Sequence, residues 1–572
     1  MRFIFLLFSV FALGFLVSCH SEDPLEDVTD EESDDSDDNL DGIHEQASDY
    51  TWTSSDVRQI TLNGSSITVS GSGANASGST LTITSAGNYS ISGSLSNGKI
   101  VVNTSDNDIV RLILNGVTVA CSNSAPLYIS KADKVLVYLT ENTVNTFTDG
   151  SSYSGQTDNE PKAAIFSTAN LSIAGTGSLT VKGNYNDGIS TKDGLVIKNG
   201  NLTVTAADDA IRGKDYVVIR EGTFTLTSAG DGLVSDNDGV SSLGFITIDA
   251  GTFRITSGGD AIQAVTETTV NGGNLTLISG GGSSKTITNT QLSAKGIKSG
   301  KALLIHDGTF DINSADDAVH SGGTLTIEKG TLAVSTADDA FHAEGALTVQ
   351  NGTISVTKSY EAFESPAITV NNGSINLVAS NDGFNATKGT VAGGTEQNDG
   401  SVLKIAGGYV VTSVSQGDGI DSNGSFDMTG GTLIVHGPQS QPEVGMDVNG
   451  ASTISGGMAI ISGPASNMTE SFANSSSQYS ILATTNTSLS SSTLFHIRDA
   501  NGNNIVTFQP GRPYSTIAFS SESLKSGTTY YIYTGGSCTG TKTDGMYSGG
   551  TYSGGTQKKS FTLSSKATSL SF

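Results

Sequence analysis

The stretch ADDAVHSGGTLTIEKGTLAVSTADDAFHAEGALTVQNG, residues 315–352, decides the fold. It contains one complete 22-residue unit and most of the next, each opening on Ala-Asp-Asp-Ala. Within a copy, apolar residues recur two apart, as at Leu325 and Ile327 and again at Leu332 and Val334, which is the period of a β-strand. The pattern predicts three short strands per unit, separated by glycine-containing corners.

The signal of an acidic, a small and an apolar residue recurs along the chain. Its small residue stands at Gly188, Ala210, Gly232, Ala261, Gly296, Ala318, Ala340, Ala362, Gly383 and Gly419. Most spacings are 21 or 22 residues, and polar insertions starting at Gly280 and Lys388 account for two longer ones. Such units predict an all-β, right-handed parallel β-helix with about 22 residues per coil, whose insertions leave one corner as loops. A leucine-rich repeat has a similar length, but its leucine signature is missing.

The ends of the chain differ from the repeats. Residues 1–18 predict a lipoprotein signal peptide, because Arg2 precedes an apolar core too short to span a bilayer and Cys19 follows directly as the lipidation site. A plain secretory signal is the alternative. We expect an acidic disordered linker over residues 19–50, the β-helix over 51–462, and a small C-terminal β module or cap over 463–572.

The predicted lipid anchor indicates a location. Lipid chains on Cys19 would hold the protein at a membrane without crossing it. The acidic stretch after Cys19 resembles the surface-export signal of some Gram-negative lipoproteins. We therefore expect an outer-membrane lipoprotein exposed at the cell surface, and a monomer.

The charge of the chain excludes several partners. Its net charge is -27, which disfavours nucleic acid and anionic lipid surfaces. An anionic ligand would need a bridging cation. Cys121 and Cys538 lie too far apart in sequence to indicate a disulfide framework.

Stacking of the units places one acidic residue per coil at the same corner, with neighbours about 4.8 Å apart. Such a row repels itself, and protonation, cationic neighbours or a bound metal would relieve it. Oxygen donors of this kind suit Ca²⁺, which we expect as the cofactor. The predicted ligands are Asp187, Asp208, Asp209, Asp231, Asp260, Asp316, Asp317, Asp338, Asp339, Asp382, Asp418 and Asp421. The alternative is that each aspartate only hydrogen-bonds the backbone of its corner.

A second polar column lies two residues after the small residue. From it we predict carbohydrate-binding residues, namely Arg212, Gln263, Lys298, His320 and His342. The alternative is an ordinary solvated face. We expect the two histidines to stack rather than to bind zinc.

The sequence predicts no catalytic residue. If the protein were a lyase, the candidates would be Lys295, Lys298 and Arg212. Lys295 takes the place of an acid in its coil, and neighbouring carboxylates would raise its pKa, the wrong direction for a base. Only an adjacent Ca²⁺ would reverse that.

Several runs of the sequence resemble a known family. They include NGKIVVNTSDNDIVRLILNGVTV, SAPLYISKADKVLVYL, NYNDGISTKDGLVI and AADDAIRGKDYVVI. They are similar to a bacterial carbohydrate-binding β-helix family described from a cellulolytic clostridium. The resemblance implies bound Ca²⁺, binding of cellulose and polygalacturonate, and a fold like that of Ca²⁺-dependent pectate lyases. It also implies that the aspartates of NDGIS, DDAIR and GDGID are Ca²⁺ ligands. The chain departs from the pattern at Lys295 and Glu361.

Three functions remain open from the sequence. The first is a surface protein that binds carbohydrate, in particular acidic pectic polysaccharide, through Ca²⁺ held by stacked aspartates. The second is a Ca²⁺-dependent polysaccharide lyase. The third is an adhesin or structural stalk.

Overall fold

Three faces, in which nearly all strands pair in parallel, make up most of the fold. The computed structural model describes residues 42–155, 160–287, 292–389 and 397–572. Over these residues the chain forms the predicted right-handed parallel β-helix. Equivalent strands pair in register, so that Ile189 lies beside Ile211 and Val319 beside Phe341. The predicted repeat is therefore confirmed.

The first face carries the strands in which the acidic signal is found. Its strands are Ala74–Ser77, Thr80–Ile83, Lys99–Asn103, Leu127–Lys131, Ala163–Ser167, Asp187–Thr191, Ile211–Gly213, Leu233–Ser235, Ile262–Ala264, Ile297–Ser299, Val319–Ser321, Phe341–Ala343, Phe363–Glu364, Phe384–Ala386, Asp421–Ser422 and Asp447–Val448.

The second face follows it in each coil. Its strands are Lys134–Leu139, Asn170–Gly175, Gly194–Ile197, Tyr216–Ile219, Phe245–Ile248, Glu267–Val270, Ala302–Ile305, Thr324–Ile327, Ala346–Val349, Ala367–Val370, Val402–Ile405, Ser425–Met428 and Ser452–Ile454.

The third face completes the coil and leads back to the first. Its strands are Val144–Asp149, Ser178–Gly183, Asn201–Ala206, Thr223–Ser228, Thr252–Ser257, Asn274–Ser279, Thr309–Ser314, Thr331–Thr336, Thr353–Lys358, Ser374–Ala379, Tyr409–Val414, Thr432–His436 and Met458–Gly463.

The apolar positions of the sequence pattern form one continuous column inside the helix. Alternate residues of each strand point inward, and the ring of Phe224 stacks on that of Phe253 at 4.6 Å between centroids. Glycine is required at the corner between the second and third faces. At Gly222 the φ angle is +139°, and a Cβ atom would lie 2.9 Å from the carbonyl oxygen of Gly200.

The two polar insertions leave the helix at different corners. The insertion at Gly280 precedes the first-face strand Ile297–Ser299, whereas the one at Lys388 follows the first-face strand Phe384–Ala386. The expectation that both leave one corner was wrong. Each insertion is accommodated wherever its own coil already turns, because corners carry no strand pairing.

The folded chain begins before residue 51. The 3₁₀ helices Ala47–Tyr50 and Ser54–Asp56 precede the first strands. The buried carboxylate of Asp49 accepts hydrogen bonds from Lys134 Nζ at 2.7 and 2.8 Å, and Glu45 pairs with Arg220 at 2.9 Å. These ion pairs attach the end of the expected linker to the helix, so the expectation of disorder up to residue 50 was wrong for its last residues.

Long strands close the N-terminal end of the helix. Val57–Gly64 and Ile67–Val69 form an antiparallel hairpin, and the first of them pairs with Gly87–Leu95. Ile109–Cys121 then runs across both the second and the third face. The hairpin covers what would otherwise be an unpaired strand edge.

Residues after 463 both cap the helix and form a module of their own. Tyr514–Ser520 pairs antiparallel with the last third-face strand. Outward-facing Ile434 and Ile460 pack into a second apolar core with Phe495 and Phe519. The strands of this part are Ser480–Leu489, Phe495–Asp499, Asn504–Phe508, Tyr514–Ser520, Thr529–Thr534, Ser537–Cys538, Thr541–Thr543, Met546–Ser548, Tyr552–Ser553, Thr556–Thr562 and Ala567–Ser571.

No helix among the described residues is long and apolar enough to cross a membrane. The predicted signal peptide and Cys19 lie outside the described residues.

Candidate functional site

A row of acidic side chains lies at the corner where each coil enters the first face. We call it the acidic ladder. Its members are Asp187, Asp209, Asp231, Asp260, Asp317, Asp339, Glu361, Asp382 and Asp418. All but Asp231 are buried, because they stand beside the small residue that lets the chain turn inward.

One oxygen of most ladder aspartates is used to join neighbouring coils. Oδ1 of Asp209 accepts the backbone N–H of Asp231 at 2.7 Å, and Oδ1 of Asp231 accepts that of Asp260 at 2.7 Å. In the same way, Oδ1 of Asp260 accepts the backbone N–H of Lys295, and Oδ1 of Asp382 accepts that of Asp418, each at 2.6 Å. Hydrogen bonding of the corner backbone, the alternative weighed from the sequence, is therefore present, and it links successive coils.

The second oxygen faces a parallel row of side chains, which we call the outward column. Its members are Ser190, Arg212, Val234, Gln263, Lys298, His320, His342, Glu364, Asn385, Asp421 and Asp447, each paired in register with the next. The column predicted from the sequence therefore exists. It is not an independent solvated surface, because most of its charged members contact the ladder.

Arg212 supplies the positive charge at the N-terminal end of the ladder. Its guanidinium contacts the carboxylates of Asp209 and Asp236 and lies 3.4 Å from Oδ2 of Asp187. Burial alone would lower the pKa of Arg212, but these carboxylates outweigh it and raise that pKa. Burial raises the pKa of Asp187 to about 6, although Arg212 opposes the shift. Asp236 is a site residue that the sequence pattern missed, since it lies outside the repeat signal.

Lys295 and Lys298 supply the charge in the middle of the ladder. Nζ of Lys295 lies 2.7 Å from Asp316 and 2.6 Å from Asp317, while Nζ of Lys298 lies 3.4 Å from Asp260. Burial would lower the pKa of Lys295, but Asp317 and Asp316 together raise it. Lys295 therefore neutralises Asp316 and Asp317. Asp260 instead accepts a hydrogen bond from the backbone N–H of Lys295.

The two histidines continue the outward column after Lys298. Their rings meet edge to face at 4.8 Å between centroids, with 71° between the ring planes, so they are in contact but not stacked. His320 Nδ1 lies 2.9 Å from Oδ2 of Asp317, and His342 Nδ1 lies 3.6 Å from the same oxygen. Burial raises the pKa of Asp317, but the histidines and Lys295 outweigh it and hold that pKa well below its usual range.

The C-terminal part of the ladder has acidic neighbours instead of cations. Burial, followed by the negative charge of Glu361, raises the pKa of Asp382 to about 9. Burial also raises the pKa of Asp418 to about 8, and the negative charge of Asp421 adds to this shift. Burial raises the pKa of Asp421 to about 7, and the negative charge of Asp447 adds to that shift. At neutral pH Asp382 and Asp418 therefore favour their protonated state unless a cation reaches them, whereas Asp421 is close to half-protonated.

Two groups of carboxylates offer only oxygen donors within 4.8 Å of one another. The first consists of Asp187, Asp208 and Asp209, and the second of Asp316, Asp317 and Asp338. In the first group Oδ2 of Asp187 is buried and makes no hydrogen bond. Hard oxygen donors are what Ca²⁺ requires, so the first group fits that ion, whereas Asp316 and Asp317 of the second group already contact Nζ of Lys295.

Other predicted ligands are not brought into such a group. Among the described residues, Asp231, Asp260, Asp382, Asp418 and Asp421 belong to no set of three metal-ligating side chains with donors within 4.8 Å. The spacing of coils keeps successive ladder residues apart, and only a doubled acid within one coil closes the gap. The sequence signal that identifies the oxygen groups is therefore the Asp-Asp pair.

Comparison with known proteins agrees with the resemblance seen in the sequence. Residues 77–340 match the model of a family described as carbohydrate-binding domain-containing protein. A protein of Acetivibrio thermocellus with the same description is 40% identical over 126 residues, which are 22% of this chain and 44% of that protein. The match thus spans less than half of the relative. A solved polysaccharide lyase-like protein from C. thermocellum, a gadolinium derivative, is 28% identical, with a TM-score of 0.38, covering 44% of this chain and 93% of that one.

Proposed function

We propose that the protein binds polysaccharide along the first face of its β-helix, with Ca²⁺ held by the doubled aspartates of the ladder. The observation that carries the proposal is the group Asp187, Asp208 and Asp209, which combines three close carboxylates with a buried oxygen lacking a hydrogen bond. The match of residues 77–340 to a carbohydrate-binding family supports the class of ligand.

The charge balance at this group supports a bound cation. Asp187, Asp209 and Asp236 surround the guanidinium of Arg212, and Asp208 adds a fourth carboxylate beside Asp187 and Asp209 that has no ion pair with it. A divalent ion would reduce the remaining repulsion. Ca²⁺ takes six to eight oxygens, and positions not filled by protein are available to carboxylates of a uronate chain. Acidic pectic polysaccharide is therefore the proposed ligand, and neutral cellulose is the alternative glycan.

The lyase alternative requires a basic side chain that can lose its proton. Lys295 is held between two carboxylates and Arg212 among three, and both arrangements favour the charged form. We therefore propose binding without cleavage. The structure provides no observation that favours a bare stalk over a binding protein.

Affinity electrophoresis of the full chain in gels containing polygalacturonate tests the proposal. We expect retardation with Ca²⁺, loss of retardation with chelator, and no unsaturated uronate products. Asp208→Asn should weaken the retardation, whereas Asp307→Asn, which changes an exposed acid paired with Lys329, should not. Retardation that is unchanged by chelator and by Asp208→Asn would refute the Ca²⁺ site. Unsaturated products would show that the protein is a lyase.

We also propose that the protein is a monomeric lipoprotein at the outer surface of the outer membrane. Both ends of the helix are covered by antiparallel strands, which leaves no open coil for end-to-end association. Light scattering should give the mass of one chain. Cys19→Ala should release the protein from membranes and abolish labelling by a fatty acid, and protease added to whole cells should degrade the unaltered protein.

A further inference from the structure

His342 stands at the centre of three carboxylates in the outward column. Its Nδ1 atom lies 3.6 Å from Oδ2 of Asp339, 3.6 Å from Oε2 of Glu364 and 3.6 Å from Oδ2 of Asp317. These distances exceed the 2.7–3.2 Å of ordinary N–H···O hydrogen bonds. The ring nitrogen therefore faces three oxygens at once without a short bond to any of them.

The carboxyls of Asp339 and Glu364 are also close to each other. Their ligand oxygens lie within 4.8 Å of each other, and the Asp339 side chain is only 8% exposed. Two carboxylates this close repel each other, and a bound cation would relieve that repulsion.

Asp317 has its own partners and stays outside this set. Its Oδ2 atom already accepts from Lys295 Nζ at 2.6 Å and from His320 Nδ1 at 2.9 Å. Asp339, His342 and Glu364 remain as three donors within 4.8 Å of one another, two of them oxygen and one nitrogen.

We infer that Asp339, His342 and Glu364 form a site for one divalent transition metal ion of the Zn²⁺ class, separate from the Ca²⁺ groups. Zn²⁺ lies about 2.0–2.2 Å from imidazole nitrogen and carboxylate oxygen, so its tetrahedral ligands are about 3.4 Å apart. The observed 3.6 Å from nitrogen to each oxygen is close to that spacing. Imidazole suits Zn²⁺ and its neighbours, whereas Ca²⁺ takes oxygen ligands.

The surroundings of His342 also suit a metal ligand. Its other ring nitrogen, Nε2, lies 3.8 Å from Oε1 of Glu344, whose side chain is 63% exposed and free to move closer. A ligating histidine ordinarily donates its second N–H to such a carboxylate. Three protein ligands leave one tetrahedral position open, on the side where His342 and Glu364 are partly exposed.

Calorimetric titration of Zn²⁺ into the chelator-treated full chain, with excess Ca²⁺ present, tests the inference. We expect one Zn²⁺ per chain, with binding weakened at least about tenfold by His342→Ala and by Glu364→Gln. Glu364→Gln keeps the side-chain shape and serves if His342→Ala fails to fold. His306→Ala should change nothing, because His306 pairs with a single exposed carboxylate, Glu328.

The visible spectrum of the Co²⁺-loaded protein provides a second readout. Strong d–d absorption of the tetrahedral kind should appear in the unaltered protein and disappear in both site variants. No Zn²⁺ uptake in the presence of Ca²⁺, or uptake unchanged by both substitutions, would overturn the inference and leave His342 as a charge partner only. Ca²⁺ binding at the Asp208 group is measured separately, so failure of one site does not imply failure of the other.

Discussion

Replacing Asp231 by asparagine should stabilise the protein above neutral pH. Its carboxylate lies on the ladder between those of Asp209 and Asp260, and Oδ1 accepts the N–H of Asp260 at 2.7 Å. Burial, followed by the charges of Asp260 and Asp209, raises the pKa of Asp231 from 3.8 to about 7, while Lys298 opposes the shift. The amide oxygen of asparagine keeps the hydrogen bond and removes the charge.

The magnitude follows from the pKa of Asp231. Because the folded-state value is raised, its contribution to stability is fully present below pH 3.8 and is lost as the pH rises through about 7. At about 1.4 kcal/mol per unit, ionisation costs the folded state at most about 4 kcal/mol. Asp231 is partly exposed, so solvent screening reduces this to about 2 kcal/mol. Asp231→Asn should therefore gain about 2 kcal/mol at pH 8 and little at pH 4.

Urea unfolding at pH 4, 6 and 8 with chelator present measures this gain. Asp231→Ala is the matched control, since it removes the same charge but leaves the N–H of Asp260 without its acceptor. It should be about 1–3 kcal/mol less stable than Asp231→Asn at each pH. An equal gain from asparagine at pH 4 and pH 8, or no gain at pH 8, would refute the view that the ladder is strained by its own charge.

Three further substitutions test the ion pairs, the core and the corners, with thermal unfolding as the common measurement. Lys295→Met leaves the buried carboxylate of Asp317 without its nearest cation and should cost about 3–5 kcal/mol at pH 7; an unchanged midpoint at pH 7 would contradict the electrostatic explanation. Phe253→Ala removes the stacking partner of Phe224 and should cost about 3–5 kcal/mol, so a loss below about 1 kcal/mol would mean that the core collapses around the gap. Gly222→Ala forces a side chain into a φ of +139° and should cost more than about 1 kcal/mol, and an unchanged midpoint would show that the corner adjusts freely.

The sequence alone determined the parallel β-helix and its repeat. The structure pairs Val319 with Phe341 and Ile189 with Ile211. The two residues of each pair are separated by the spacing of the acidic signal in the sequence. Strand period and glycine corners are local properties, and identical units must stack to bury their apolar sides. For the same reason the sequence predicts the acidic ladder and most members of the outward column, although not Val234 and Asp447.

Only the tertiary structure decided how those side chains are used. The ladder bond from Asp231 to the next coil, the contact of Arg212 with Asp236, and the three carboxylates around His342 depend on side-chain direction across coils. A repeat specifies which residues are neighbours, but a carboxylate has two oxygens and several neighbours within reach. Which partner each oxygen meets is set by burial and by competing charges nearby, and these exist only in the folded chain.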